Sequence, residues 1–268
     1  MTHAPLPLAP SRAFGETSRK DKWWIQPAAV LIGLTTIVAY ITWASFQGDH
    51  YRFQQYLSPF YSPELFGDPA HAWFGPQPSW WPAFLPFSPA FFILAGPVGF
   101  RFTCYYYRGT YYKSFWADPP NCAVGEPRKT YVGEQKFPLI IQNMHRFFLY
   151  LALPILAILA YDAWEGFWFI NAATGAKSFG IGVGTLVLVA NVIGIGSYTF
   201  GCHSFRHLIG GHKDSISEGK VRKVAYDCSS CLNRGHGRWA WTSLVIATFA
   251  DIYIRLRSMG IWSDWRII

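Results

Sequence analysis

From Trp23 to Gly48, and again from Ser178 to Phe205, the chain carries no Asp, Glu, Lys or Arg. A hydrocarbon core of about 30 Å is crossed by about 20 helical residues, so each run reads as a transmembrane helix before any buried element of a soluble core. Composition agrees. Only 14% of the 268 residues are charged and 19% are aromatic, whereas a soluble chain of this size carries about 25% charged residues.

Three further segments are candidate spans. Trp80 to Cys104 is aromatic, with Pro82, Pro86 and Pro89 crowding its start and Pro97 expected to kink its middle. Arg146 to Tyr161 follows the apolar Leu139-Ile140-Ile141 and ends at Asp162. Trp239 to Trp262 is apolar except for Asp251, Arg255 and Arg257. The expected fold is therefore all-α: a polytopic membrane protein, a five-helix bundle with spans near 24–47, 80–104, 146–164, 178–205 and 239–262. It forms one membrane domain over 23–268 behind a polar tail, 1–22. That tail lacks the pattern of a cleavable signal peptide.

Lys and Arg accumulate on the cytoplasmic side of membrane proteins. With the N-terminus inside, segments 1–22, 101–146 and 206–238 are cytoplasmic and hold 18 of the 23 basic residues. The remaining five are Arg52, Lys177, Arg255, Arg257 and Arg266, on or near segments rich in acids. The C-terminus is then external. The net charge of +8 is explained by orientation and contact with anionic lipid or an acidic partner, which leaves no case for nucleic-acid binding. Gly180, Gly182, Gly184, Gly194 and Gly196 are read as helix-packing positions, and tryptophans near the span ends as interfacial belts.

All five cysteines, Cys104, Cys122, Cys202, Cys228 and Cys231, fall at the cytoplasmic face under this topology, with His145, His203, His207, His212 and His236. An odd count on a reducing side argues against disulfides. Thiols and imidazoles gathered from several span ends are what a metal or iron–sulfur site requires. Three patterns compete. His203 and His207 share a face if the fourth helix continues. Cys228-Ser229-Ser230-Cys231 is a CxxC read as lying on a loop. Cys122 sits in a proline-stiffened loop and is supported by Cys104. Two thiolates with two imidazoles would make a Rieske-type cluster, and four thiolates an ordinary [2Fe–2S] centre or zinc. Haem b between His145 and His203 or His207 is a further alternative, with no donors for a second haem near the outer face.

Several of these stretches resemble a known family. They are Cys104-Tyr105-Tyr106-Tyr107-Arg108, the Pro-Pro-x-Cys-Ala-Val of 119–124, Gln142-Asn143-Met144-His145-Arg146, the Cys-His-Ser-x-Arg-His of 202–207, Leu232-Asn233-Arg234-Gly235-His236, and Trp239-Ala240-Trp241. Together they resemble the single membrane-anchor subunit of bacterial succinate dehydrogenase, respiratory complex II, over residues 100–250. The resemblance implies a five-helix anchor in the bacterial plasma membrane. It would hold a flavoprotein subunit carrying FAD and an iron–sulfur subunit, and pass electrons from succinate to quinone. Succinate oxidation would lie on the flavoprotein, so no complete active site is expected in this chain.

The family pattern includes Cys104, Cys122, Cys202, His203, His207 and His236, and these become the expected ligands of a [2Fe–2S] centre. The CxxC is outside that pattern, and Phe205 stands where the family often has a second cysteine. For quinone, His145, Arg108, Tyr106 and Tyr112 are expected at suitable depth, the alternative being that the tyrosines belong to the belt and the arginines contact lipid. Two other classes remain open, an anchor without cofactor and a transporter. The second would rest on Asp251 and Arg255, for which an i,i+4 ion pair is the simpler account.

Overall fold

The computed structural model describes residues 13–128, 133–137, 139–171, 174–211, 213–217 and 219–268, so His212 lies outside the described residues. Among them are eight α-helices and two short β-hairpins. Three helical segments are long and apolar enough to cross a membrane: Ile25–Gln47, Leu139–Glu165 and Val183–Phe200. The chain divides into two compact units, Met1–Thr36 with Phe102–Asn143, and Ile37–Arg101 with Met144–Ile268.

The first unit contains the start of α1 (Ile25–Gln47) and α3 (Tyr105–Ser114). Its N-terminal segment is pinned to the proline-rich loop. Gly15 and Gly125 exchange backbone bonds with Gly125 and Glu16 at 3.0 and 2.9 Å. The Arg19 guanidinium donates to Asn121 Oδ1 at 3.1 Å and to the Cys122 carbonyl at 3.0 Å. Asn121 in turn donates to the Trp23 carbonyl at 3.0 Å, just ahead of α1. One arginine and one asparagine thereby order two otherwise irregular strands of chain.

The second unit holds the end of α1, α2 (Ala90–Phe102), α4 (His145–Glu165), α5 (Val183–Phe200), α6 (His203–Gly210), α7 (Lys220–Arg234) and α8 (His236–Ser258). Its hairpins pair β1 (Arg52–Phe53) with β2 (Tyr56–Leu57), and β3 (Trp168–Ile170) with β4 (Lys177–Phe179). The span expected over 80–104 is helical only from Ala90. Prolines at 82, 86 and 89 lack the N–H a helix needs and push the residues before them into extended conformations. Pro97 is accommodated inside α2.

α5 is the centre of the second unit, packed against α4 and α8. Small residues make this possible. A Cβ on Gly184 would lie 2.6 Å from the Tyr56 ring, and one on Gly194 would lie 3.4 Å from the Ser243 Cα on α8. Tyr56 reaches Asp264 at 3.0 Å, and Asp264 also accepts from Tyr253 at 2.6 Å and from the Gly184 N–H at 3.1 Å. The residues just after α8 are thus returned to the start of α5, where Ile267 N–H bonds the Ile181 carbonyl at 2.7 Å.

Asp251 and Arg255 do form the i,i+4 pair, at 3.3 Å, with side chains 0% and 4% exposed. The Asp251 carboxylate also accepts from Tyr40 on α1 at 2.5 Å and from Ser58 after β2. Arg255 donates to the Asp49 carbonyl at 2.9 Å and lies over the Trp43 ring at 5.2 Å. These contacts tie α8 to α1, to Asp49 just after it and to Ser58 beyond β2, which makes the pair a structural lock.

Candidate functional site

The fourth apolar run does not continue as one helix. α5 ends at Phe200, Gly201 turns the chain, and α6 starts with Cys202 as its N-cap in extended conformation (φ −69°, ψ 142°). The carbonyls left over at the end of α5 are met from α7. Ser229 donates to the Phe200 carbonyl at 2.7 Å and Asn233 to the Gly201 carbonyl at 2.8 Å. Gly201 has no room for a side chain, because a Cβ would approach Leu232 at 3.0 Å. The break therefore follows from specific residues, and its effect is to bury the Cys202 thiol at 1% exposure.

His145, the first residue of α4 and equally buried, sets its Nε2 3.0 Å from Cys202 Sγ. The sulfur also accepts the Ser204 N–H at 3.4 Å. Around the pair the rings form a continuous wall. Phe100 stacks on His145 with centroids 4.6 Å apart and planes 5° from parallel. Tyr198 meets Phe100 edge-on at 5.5 Å and stacks on His236 at 4.9 Å. Arg101 lies 4.7 Å over the Tyr198 ring and is fixed by the Ala240 carbonyl at 3.2 Å and Ser243 Oγ at 2.9 Å. A soft thiol and an imidazole, desolvated and turned toward each other, are donors for a transition metal or an iron–sulfur centre.

The other expected ligands are distributed differently. Cys104 is buried as the N-cap of α3, in the first unit, and Cys122 is exposed in its loop. His203 and His207 do fall on one helix, but both are exposed, and His207 Nδ1 is 2.8 Å from an Arg146 guanidinium nitrogen. Cys228 and Cys231 stand exposed on α7, not on a loop. Gly219 and Gly235 cap that helix, and the buried member of the motif is Ser229. Among the described residues no group of three or more His, Cys, Asp and Glu side chains is gathered as a metal site. Of the expected quinone residues, Tyr106 lines a cavity of about 360 Å³ in the first unit with Gln26, Val30, Tyr105, Thr110 and Asn121. Arg108 lies over the Tyr105 ring at 4.5 Å, and Tyr112 is half-buried on the same helix. Phe100, Arg101 and Tyr198 were not singled out by the sequence. The available signal was Arg101 at the edge of an apolar span.

The model of the actinobacterial succinate dehydrogenase subunit SdhC matches residues 25–260. That covers most of the chain. The chain belongs to this family of membrane subunits. It is similar to a chain of the Mycobacterium smegmatis Sdh1 complex in the apo form, with 40% identity over 97% of this chain and 96% of that one, and a TM-score of 0.83. No curated protein matches. Membership makes this SdhC-family chain a membrane subunit of a succinate dehydrogenase and a multi-pass protein of the bacterial plasma membrane. It also extends the resemblance read from residues 100–250 to nearly the whole sequence.

Proposed function

We propose that this subunit anchors a flavoprotein and an iron–sulfur subunit at the cytoplasmic face of the membrane and passes electrons from succinate to quinone. The observation that carries the electron-transfer part is the buried contact between Cys202 and His145. A [2Fe–2S] centre with mixed thiolate and imidazole ligands would draw on this thiol and this imidazole, which are desolvated together and walled by aromatic rings, and their direct 3.0 Å contact would have to open to admit it. Cys202 and His145 are the donors that the described residues bring together, and no third His, Cys, Asp or Glu is gathered with them. When bound, such a centre supplies one-electron transfer at potentials of about −150 to +300 mV, above those of all-thiolate clusters.

The chain's own residues have defined tasks. Phe100 and Tyr198 exclude water from the two imidazoles, and Arg101 places a fixed positive charge against the Tyr198 ring. His145, turned to Cys202, is assigned to the centre instead of to quinone. Quinone is assigned to the tyrosine-lined cavity of the first unit, where the Tyr105 and Tyr106 rings match a flat ring. Purification through a tag on this chain is expected to recover a flavin-containing subunit and an iron–sulfur subunit in equal amounts. Recovery of the chain alone in mild detergent, at normal membrane levels, would contradict the anchor reading.

The proposed topology has five crossings, α1, α2, α4, α5 and α8, with the N-terminus inside and the C-terminus outside. Its support is the basic partition, 18 of 23. α8, with 23 residues, is long enough to cross. α2, with 13 residues, reaches about 20 Å, and the aromatic segment before it completes that crossing. Membrane-impermeant labelling of terminal tags is expected to reach only the C-terminal one in intact cells; labelling of both ends, or of neither, would require an even number of spans.

A further inference from the structure

We propose that a second site, at the far end of α4 from Cys202, binds the zwitterionic headgroup of an aminophospholipid. α4 runs from His145 to Glu165, so its ends are about 30 Å apart. At the Glu165 end lies a cavity of about 400 Å³ whose lining includes Asp162, Glu165, Glu64 and Arg52 among aromatic walls. This site is independent of the redox assignment and needs only that the chain is embedded in a bilayer.

The charges in the cavity are unequal. Glu64 is saturated: it accepts from Tyr51 at 2.7 Å, from Arg52 at 3.2 Å and from the Asp68 N–H at 2.8 Å. Glu165 pairs with Lys177 at 3.3 Å on the surface. Asp162 is held by the Ser62 hydroxyl, with no ion pair to Lys or Arg among the described residues. The lining therefore presents a carboxylate without a direct ion-pair partner, and Tyr161, Trp73 and Trp168 surround the same space. A carboxylate with aromatic faces is the recognition chemistry of an organic ammonium. A bare divalent metal ion would require a close cage of oxygens, and no such gathering exists among the described residues.

The remaining polar groups suit the other half of a headgroup. Arg52 Nε and the Gln55 side-chain amide are buried without hydrogen-bond partners, and both residues line the cavity. The rest of the Arg52 guanidinium, on a side chain 27% exposed, is the cation available to a phosphate oxygen. Leu57, Ile158 and Ile170 supply an apolar side toward which acyl chains can leave. Tryptophan and tyrosine at a helix end are the usual residues of the membrane interface, where a headgroup resides. An ammonium on Asp162 and a phosphate near Arg52 together match the two charges of a zwitterionic headgroup.

The test uses the intact, detergent-purified and delipidated complex, titrated with short-chain phosphatidylethanolamine, short-chain phosphatidylglycerol or free ethanolamine, and followed by thermal unfolding and tryptophan fluorescence. Phosphatidylethanolamine is expected to bind saturably and about tenfold more tightly than phosphatidylglycerol, a difference of one charge-assisted contact. Asp162→Asn should abolish that preference while leaving the lipid-free unfolding temperature unchanged. Should Asp162→Asn lower that temperature, Glu165→Gln, at a residue whose side chain is 33% exposed, serves as the second variant and should weaken the preference without disturbing the fold. Equal binding of the two lipids, or a preference that survives both variants, would overturn the proposal. So would ethanolamine alone binding as tightly as the lipid, which would mark a site for a soluble amine.

Discussion

Asp251→Ala is expected to destabilise the subunit by roughly 3–5 kcal/mol, because it strands a buried arginine. Arg255 is 3% exposed and Asp251 is completely buried, so the guanidinium would lose its counter-charge where water cannot replace it. The Tyr40 and Ser58 hydroxyls would lose their acceptor at the same time. The loss should appear as a markedly lower unfolding temperature of the purified complex and a reduced membrane level of the chain. Replacing both charges, Asp251→Leu with Arg255→Met, should recover most of the stability, since a buried pair exchanged for apolar residues of similar volume costs little. A single variant that unfolds at the wild-type temperature would show that the pair is not the lock described above.

The second large effect concerns function. His145→Ala combined with His236→Ala is expected to abolish quinone reduction while succinate oxidation with a soluble acceptor continues, because the flavin belongs to another subunit. His207→Ala should leave quinone reduction within about twofold, the scale expected of a surface substitution, since that ring is exposed and engaged by Arg146. Loss of both activities in the double variant would indicate failed assembly, and Cys202→Ser, a near-isosteric change, then separates assembly from electron transfer. If quinone reduction were lost in His207→Ala and kept in the double variant, the ligand pattern read from 202–207 would replace the one assigned from the structure.

How far the sequence discloses this protein depends on the range of the interaction involved. The charge-free runs identified α1 and α5 because a membrane imposes a requirement on each segment separately. The second candidate span is helical only from Ala90, because the three prolines at its start delay the helix. The i,i+4 pair of Asp251 and Arg255 was legible as a pair, whereas its burial depends on Tyr40 and Ser58, about two hundred positions away. The same limit applies to the candidate site. His203 and His207 attracted attention by their helical spacing, but the break at Gly201 makes Cys202 a buried cap and leaves both imidazoles exposed. His145 meets Cys202 across 57 positions, a separation no local pattern reports. The CxxC, read as lying on a loop, is on α7, which uses the first serine between the cysteines to cap α5 and turns the thiols outward.

The central claim, that Cys202 with His145 contributes to an iron–sulfur centre in this subunit, is tested most directly by electron paramagnetic resonance of the reduced, purified complex, wild type against Cys202→Ser, with iron counted per flavin. The account predicts a signal of mixed-ligand [2Fe–2S] character in the wild type, titrating within the range of about −150 to +300 mV. In Cys202→Ser that signal should be lost, together with about two irons per flavin, while the clusters of the soluble subunit remain. Identical spectra and identical iron content in the two preparations would contradict it.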